Sequence, residues 1–149
     1  MIDALELVIA NDLAELGRLA EAVDDFVGRH GLPMEVGFKL NLCFDELITN
    51  TVSYGYPDGG RHEIRVRLTL EETELQAELV DDAAPFDPFA ERPAPDLDAD
   101  VDERAIGGLG IFLVTRSVDR ASYRREGDRN VVRLIKAIPP TPAAQGALQ

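Results

Sequence analysis

Hydrophobic and polar positions along this chain change their period several times, and each change marks an element. Between Ala4 and Ala10, Leu5, Leu7 and Ile9 fall on one face at a two-residue period, as in a half-buried strand. The period then lengthens. Leu13, Leu16, Ala20, Val23 and Val27 recur at helical spacing, and Asp12 with Glu15 three residues later forms a capping-box pattern. Gly28 and Gly31 are stop signals, and Pro33 opens the next helix. That helix is predicted from about Met34 to Ser53, with Val36, Leu40, Cys43, Phe44, Leu47 and Ile48 on one broad arc. The run Tyr54-Gly55-Tyr56-Pro57-Asp58-Gly59-Gly60 breaks it.

Alternation returns at Ile64, Val66, Leu68 and Leu70, and again at Leu75, Ala77 and Leu79, with Glu71-Glu72 as the turn of a hairpin. Asp81 keeps the parity of Leu75 and Leu79, so the pattern turns it inward, where a carboxylate is costly unless hydrogen-bonded. Residues 85–104 have no period, four prolines and many aspartates, the composition of a long loop or lid. After Gly107-Gly108-Leu109-Gly110 a helix is predicted over 111–117. Strands over 120–125 and 130–138 follow, around the turn Glu126-Gly127-Asp128. The order strand, helix, helix, hairpin, lid, helix, hairpin predicts an α+β domain: a two-layer α/β sandwich whose mainly antiparallel sheet carries helices on one face. The domain is expected over residues 1–138, with the lid at about 86–106 and a disordered tail at 139–149.

Composition narrows the partners. The chain has 149 residues, enough for one domain with one core, and a net charge of −13 with a pI of about 4.4. That argues against nucleic acid as a direct partner and against an anionic membrane surface. The lone Cys43 lies on the apolar arc and reads as a buried free thiol, and no Cys/His cluster has zinc spacing. With no apolar run of membrane-spanning length and no basic-then-apolar start, a cytoplasmic location is the default expectation.

Several residues could do chemistry. Glu46 and Asn50 are four apart and so share a helix face, Asn50 on the shoulder of the apolar arc and Glu46 just outside it. A carboxamide oxygen is a suitable Mg²⁺ ligand, and a carboxylate can serve as general base. Such a pair in isolation is common, and its ordinary role is a polar surface. Asp81 could accept a hydrogen bond from an exocyclic amine such as adenine's, or cap a strand-end turn. Asp87, in Pro85-Phe86-Asp87-Pro88, could fix the lid or cap a plain turn, and Phe86 and Phe89 are expected to anchor the lid to the core. Gly107, Gly108 and Gly110 open a helix, where free N–H groups and the dipole favour an anion; alone they fit a hinge equally well.

The three stretches in this order resemble the GHKL (Bergerat) ATP-binding fold. Within that fold the chain is similar to the RsbW-type anti-sigma factor and serine-protein kinases of bacterial partner switching. Phe44-Asp45-Glu46-Leu47-Ile48-Thr49-Asn50, Pro85-Phe86-Asp87-Pro88 and Gly107-Gly108-Leu109-Gly110-Ile111 carry the match, which runs from the first strand to about Ala137. The resemblance implies ATP and Mg²⁺ as cofactors, Glu46 as catalytic base, Asn50 as Mg²⁺ ligand and Asp81 as reader of the adenine amine. Ala83 and Asp87 would belong to the same adenine-side box, and the backbone of Gly107, Gly108, Leu109 and Gly110 would meet the phosphates. It also implies two partners: a sigma factor, and a STAS-domain anti-anti-sigma protein whose serine is phosphorylated. Members of the family often dimerise, which leaves a homodimer open.

The sequence departs from the family pattern at three places. Ala83 stands where glycine is usual, Tyr54-Gly55 stands for His-Ala, and Asn130 stands where many members have Thr. A second reading therefore stays beside the kinase: a non-catalytic or weakly ATP-binding partner-switching module of the same fold. The lid adds Asp96, Asp98, Asp100, Asp102 and Glu103, with Arg92 and Arg104 as its cations, for which a solvated surface is the ordinary role.

Overall fold

The structure, a computed structural model, describes residues 1–90 and 109–139. Its elements are β1 (Asp3–Ala10), a 3-10 turn (Leu13–Glu15), α1 (Leu16–Arg29), α2 (Met34–Tyr54), β2 (Glu63–Leu70) and β3 (Glu74–Asp81). After the gap come α3 (Leu109–Ser117), β4 (Arg120–Glu126) and β5 (Arg129–Ala137). The strands form one five-stranded sheet in the order β1-β2-β3-β5-β4, every neighbouring pair antiparallel. This is the α+β architecture that the alternation of periods predicts. The rest of the lid and the tail from residue 140 lie outside the described residues, as do Arg92, Asp96, Asp98, Asp100, Asp102, Glu103 and Arg104.

The alternation decides which face is covered. Ile64, Val66 and Leu68 of β2 and Leu75, Ala77 and Leu79 of β3 are buried, in one cluster with side chains of α1, α2 and α3. The opposite face is charged and open. Glu6, Arg67, Glu78 and Arg133 stand in one row across four strands, and Arg65 pairs with Glu6 at 3.2 Å. Helices therefore pack on one side only, which makes two layers.

The helix α2 is the middle of the covering layer, packed against both α1 and α3. Leu40, Cys43, Phe44 and Ile48 are fully buried along it. Cys43 is the inert thiol its position suggests: burial pushes its pKa up to about 11, and its Sγ lies 3.9 Å from the carbonyl of Val114. The capping of the first helix differs from the expected box. Asp12 does accept from the Ala14 amide at 2.9 Å, but Glu15 reaches back to the amide of Ala10 at 3.2 Å, clipping β1 to the helix start.

Two contacts fix the segment that follows α2. Gly55 accepts from the Ala84 amide through its carbonyl at 2.9 Å, so the end of α2 and the end of β3 are joined backbone to backbone. A Cβ on Gly55 would stand 2.6 Å from the Thr51 carbonyl oxygen and 2.7 Å from the Cβ of Ala83. Farther along, His62 bridges two carboxylates, Asp82 at 3.0 Å and Asp58 at 3.1 Å, while its ring stacks on Tyr56.

Gly55→Ala is expected to cost about 1–3 kcal/mol, the usual range for overpacking. Because part of that overlap is with the methyl of Ala83, adding Ala83→Gly should restore part of the loss. Chemical denaturation of the two single variants and the double measures it, and strict additivity would contradict the contact. The His62 bridge makes a second expectation. Hydrogen bonds to Asp82 and then Asp58 raise the His62 pKa above its ordinary 6.5. The bridge's contribution is thus complete below that ordinary value and fades as pH rises through the raised one. Unfolding midpoints of the parent and His62→Gln should converge with rising pH; a gap that stays constant from acid to alkaline pH contradicts the charged bridge.

Candidate active site

A cavity of about 130 Å³ opens where the C-terminal half of α2 meets the ends of β3 and β5. Leu47, Leu79, Pro85 and Val132 give it apolar walls, and Asn50, Asp81 and Asn130 are among its polar ones. It is smaller than the roughly 300 Å³ at which drug-sized pockets begin, so it suits a flat fragment of a larger ligand.

Asp81 points inward, as its parity requires, at the last rung of the β2–β3–β5 ladder. Only 5% of it is exposed. Its Oδ1 accepts from the Ala83 amide at 3.0 Å and from Asn130 Nδ2 at 2.9 Å. Among the described residues Oδ2 has no partner. Burial pushes the Asp81 pKa up, while the bonds from Asn130 and Ala83 pull against that rise. The pairing therefore opposes the loss of charge that desolvation drives, without cancelling it.

Asn130 is the residue that sequence reasoning undervalued, noting it only as a departure from the family pattern. It is directly opposite Asp81 in the register and equally buried. Its Nδ2 also donates to the carbonyls of Ala83 at 3.2 Å and Ala84 at 3.0 Å. Its Oδ1 accepts from Tyr123 Oη at 2.6 Å, Arg125 Nη1 at 3.0 Å and the Phe86 amide at 3.4 Å. Arg125 reaches the Ala83 carbonyl as well, at 2.9 Å. The available signal was an Asn on a strand at inward parity, facing an inward Asp.

On α2, Asn50 is half-buried at the cavity, and its carboxamide makes no hydrogen bond among the described residues. Glu46, one turn earlier, stands outside the cavity walls and against α3. A Cβ on Gly110 would come within 2.9 Å of Glu46 Oε1 and closer still to the rest of the carboxylate. The absence of a side chain at Gly110 is thus what lets the first turn of α3 lie on Glu46.

The other sequence-derived candidates divide. Ala83 is buried, lines the cavity and rests its methyl against Gly55. Asp87 is exposed and does not line the cavity; its Oδ1 accepts from the Phe89 amide at 2.8 Å, which is the turn-capping role. Phe89 packs on the core as expected, but Phe86 does not: it is 47% exposed and lines the cavity. The backbone of Leu109 opens α3, and Gly107 and Gly108 lie outside the described residues.

Comparison with known proteins follows the same lines. The family model of the histidine kinase-like ATPase domain matches residues 9–136. The chain is 31% identical over 105 residues to the serine/threonine-protein kinase BtrW of Bordetella bronchiseptica, covering 69% of this chain and 72% of that one. It is 29% identical over 127 residues to the serine-protein kinase RsbW of Listeria monocytogenes, covering 83% and 80%. In fold it is similar, at a TM-score of 0.64 and 13% identity, to a crystal structure of the RsbU and RsbW domains of a Mycobacterium tuberculosis protein. That likeness covers 93% of this chain and 33% of the other, so the chain spans about a third of it. With the inward Asp81, the Glu46–Asn50 helix face and a family match over nearly its whole length, this chain belongs to the histidine kinase-like (GHKL) ATPase family, in its RsbW-type branch.

Proposed function

We propose that residues 1–138 form an ATP·Mg²⁺-dependent serine kinase that phosphorylates a STAS-domain anti-anti-sigma protein and holds a sigma factor by partner switching in the cytoplasm. The observation that carries this reading is that Asp81 and Asn50 line one cavity, with Glu46 one turn back on the same helix and the start of α3 laid against it. Among the described residues no helix is long and apolar enough to cross a membrane. The net charge of −13 favours basic docking surfaces on protein partners.

The residues fit the groups they would hold. Asp81 keeps one carboxylate oxygen for a ligand amine, inside apolar walls that keep water off a base. Asn50 has an unused carboxamide oxygen, the hard donor a magnesium ion takes. When bound, the cation neutralises charge developing on the transferred phosphoryl group.

Glu46 would take the proton of the acceptor serine hydroxyl onto its carboxylate. The first turn of α3, held there by Gly110, offers unsatisfied backbone N–H groups and the positive end of a helix dipole to an anion. Such an arrangement supplies position and charge, which is most of what phosphoryl transfer requires. The methyl of Ala83 rests against Gly55, so this departure from the family pattern is accommodated within the corner it belongs to.

With ATP and Mg²⁺ at 100 times the dissociation constant, the protein should gain about 2.7 kcal/mol of stability in a thermal-shift assay. Asn50→Ala should lose the magnesium-dependent part, and a parent that shows no shift would overturn the nucleotide reading. Glu46→Ala should retain the nucleotide shift while transfer to a STAS-domain partner falls by about 10²–10⁴-fold. Transfer that survives this change would remove Glu46 from the role of base. Gly110→Ala tests the contact between them: the added methyl forces the carboxylate and the first turn of α3 apart, so kcat and nucleotide affinity should both fall.

A further inference from the structure

We propose that Asn130 is a positioning residue for base selection, holding Asp81 by Oδ1 so that Oδ2 alone faces the ligand and admits a 6-amino but not a 6-oxo purine. The inference rests on the nucleotide reading above and deepens it.

A free carboxylate presents two equivalent oxygens and can turn to meet a donor from several directions. Asp81 cannot. Its Oδ1 is taken by the Ala83 amide and by Asn130 Nδ2, at 3.0 and 2.9 Å, while the residue is buried at the cavity wall. The clamp is itself held. The carboxamide of Asn130 has three donors around its oxygen and three acceptors around its nitrogen, so its orientation admits no flip. Two of the donors, Tyr123 and Arg125, come from β4, which makes β4 the rigid support of an oxygen two strands away.

The consequence is chemical. As a carboxylate, Oδ2 accepts and cannot donate, and Asp81 lines a cavity with the apolar walls of Leu47, Leu79, Pro85 and Val132. An amino group on the ring satisfies it; a ring carbonyl in the same place would oppose two lone-pair bearers without water between them. Sites built to hydrogen-bond one group reject an analogue lacking it far more strongly than apolar pockets reject an extra methylene.

The test is calorimetric binding of ATP and GTP, each with Mg²⁺, across a pH series, to the parent, Asn130→Ala, Tyr123→Phe and Arg125→Gln. The parent should favour ATP by about 100-fold or more. Asn130→Ala should shrink that ratio by about tenfold, because the released carboxylate can turn away from a carbonyl. It should also lose ATP binding at a higher pH than the parent on acidification, since burial persists while a donor to the carboxylate is gone. Asp82 beside Asp81 and Tyr56 from the loop after α2 act on Asp81 alike in parent and Asn130→Ala; Arg125 from β4 loses its bond to Asn130 Oδ1, and the pH series of Arg125→Gln measures its share of the shift. Tyr123→Phe and Arg125→Gln each remove one support of Oδ1 and should shrink the ratio less; they decide the matter if Asn130→Ala does not fold. An equal loss of both nucleotides, with an unmoved pH profile, would mean that Asn130 only supports the fold. A parent that binds neither nucleotide removes this inference together with the nucleotide reading. A parent that prefers ATP while every variant keeps its ratio overturns the Asn130 role alone.

Discussion

The hydrogen bond between Asp81 and Asn130 is the constraint around which this end of the molecule is arranged. A carboxylate on the inward face of a central strand loses its water, and nothing on β2 offsets that, since its register partner there is Ile64. The offset comes from the other side, where β5 places Asn130 in the same rung. The register of β5 on β3 is therefore specified by polar chemistry as well as by apolar alternation. A slip of one residue would face Asp81 with a neighbour of opposite parity and leave a buried charge unpaired.

The same constraint explains why α2 carries both packing and chemistry. One arc of the helix is spent on Leu40, Cys43, Phe44 and Ile48, which bind it to the sheet between α1 and α3. Its last turns pass over the rim where Asp81 emerges, so a polar residue on the shoulder of that arc reaches the cavity without leaving the scaffold. Asn50 does this, and Glu46, one turn back, reaches the next helix instead. Precision at the site comes from packing several residues away from it, which is how rigid elements hold functional groups.

Much of this was legible in the chain because period and parity are local properties. They gave the strands and helices, the burial of Cys43 and the inward turn of Asp81. What they could not give were contacts between segments far apart in sequence. Asn130 and Asp81 are 49 residues apart, and Arg125 and Ala83 are 42 apart. The role of Asn130 depends on sheet order, since β5 rather than β4 lies beside β3. Gly110 reads as a phosphate-loop glycine, and its contact with Glu46 has no local signature. Phe86 fails for a different reason. Hydrophobicity argues that it should be covered by the core, yet the turn fixed by Asn130 and Asp81 leaves it half-exposed and lining the cavity.

The departures from the family pattern gain a different meaning once they are placed in space. Taken along the chain, Gly55, Ala83 and Asn130 look like three separate losses. In the structure they touch. The methyl of Ala83 fills the space that a side chain on Gly55 would need. The Ala83 carbonyl accepts from Asn130 and Arg125, its amide donates to Asp81, and the next amide, of Ala84, donates to the carbonyl of Gly55. The methyl stands on the Ala83 side of that contact, and the Asn130 carboxamide bonds the turn that carries it. Close packing makes such changes interdependent, because neighbouring substitutions couple where distant ones add. The corner is thus one packed unit in which Asp81, Asn130 and the turn at Ala83 hold one another.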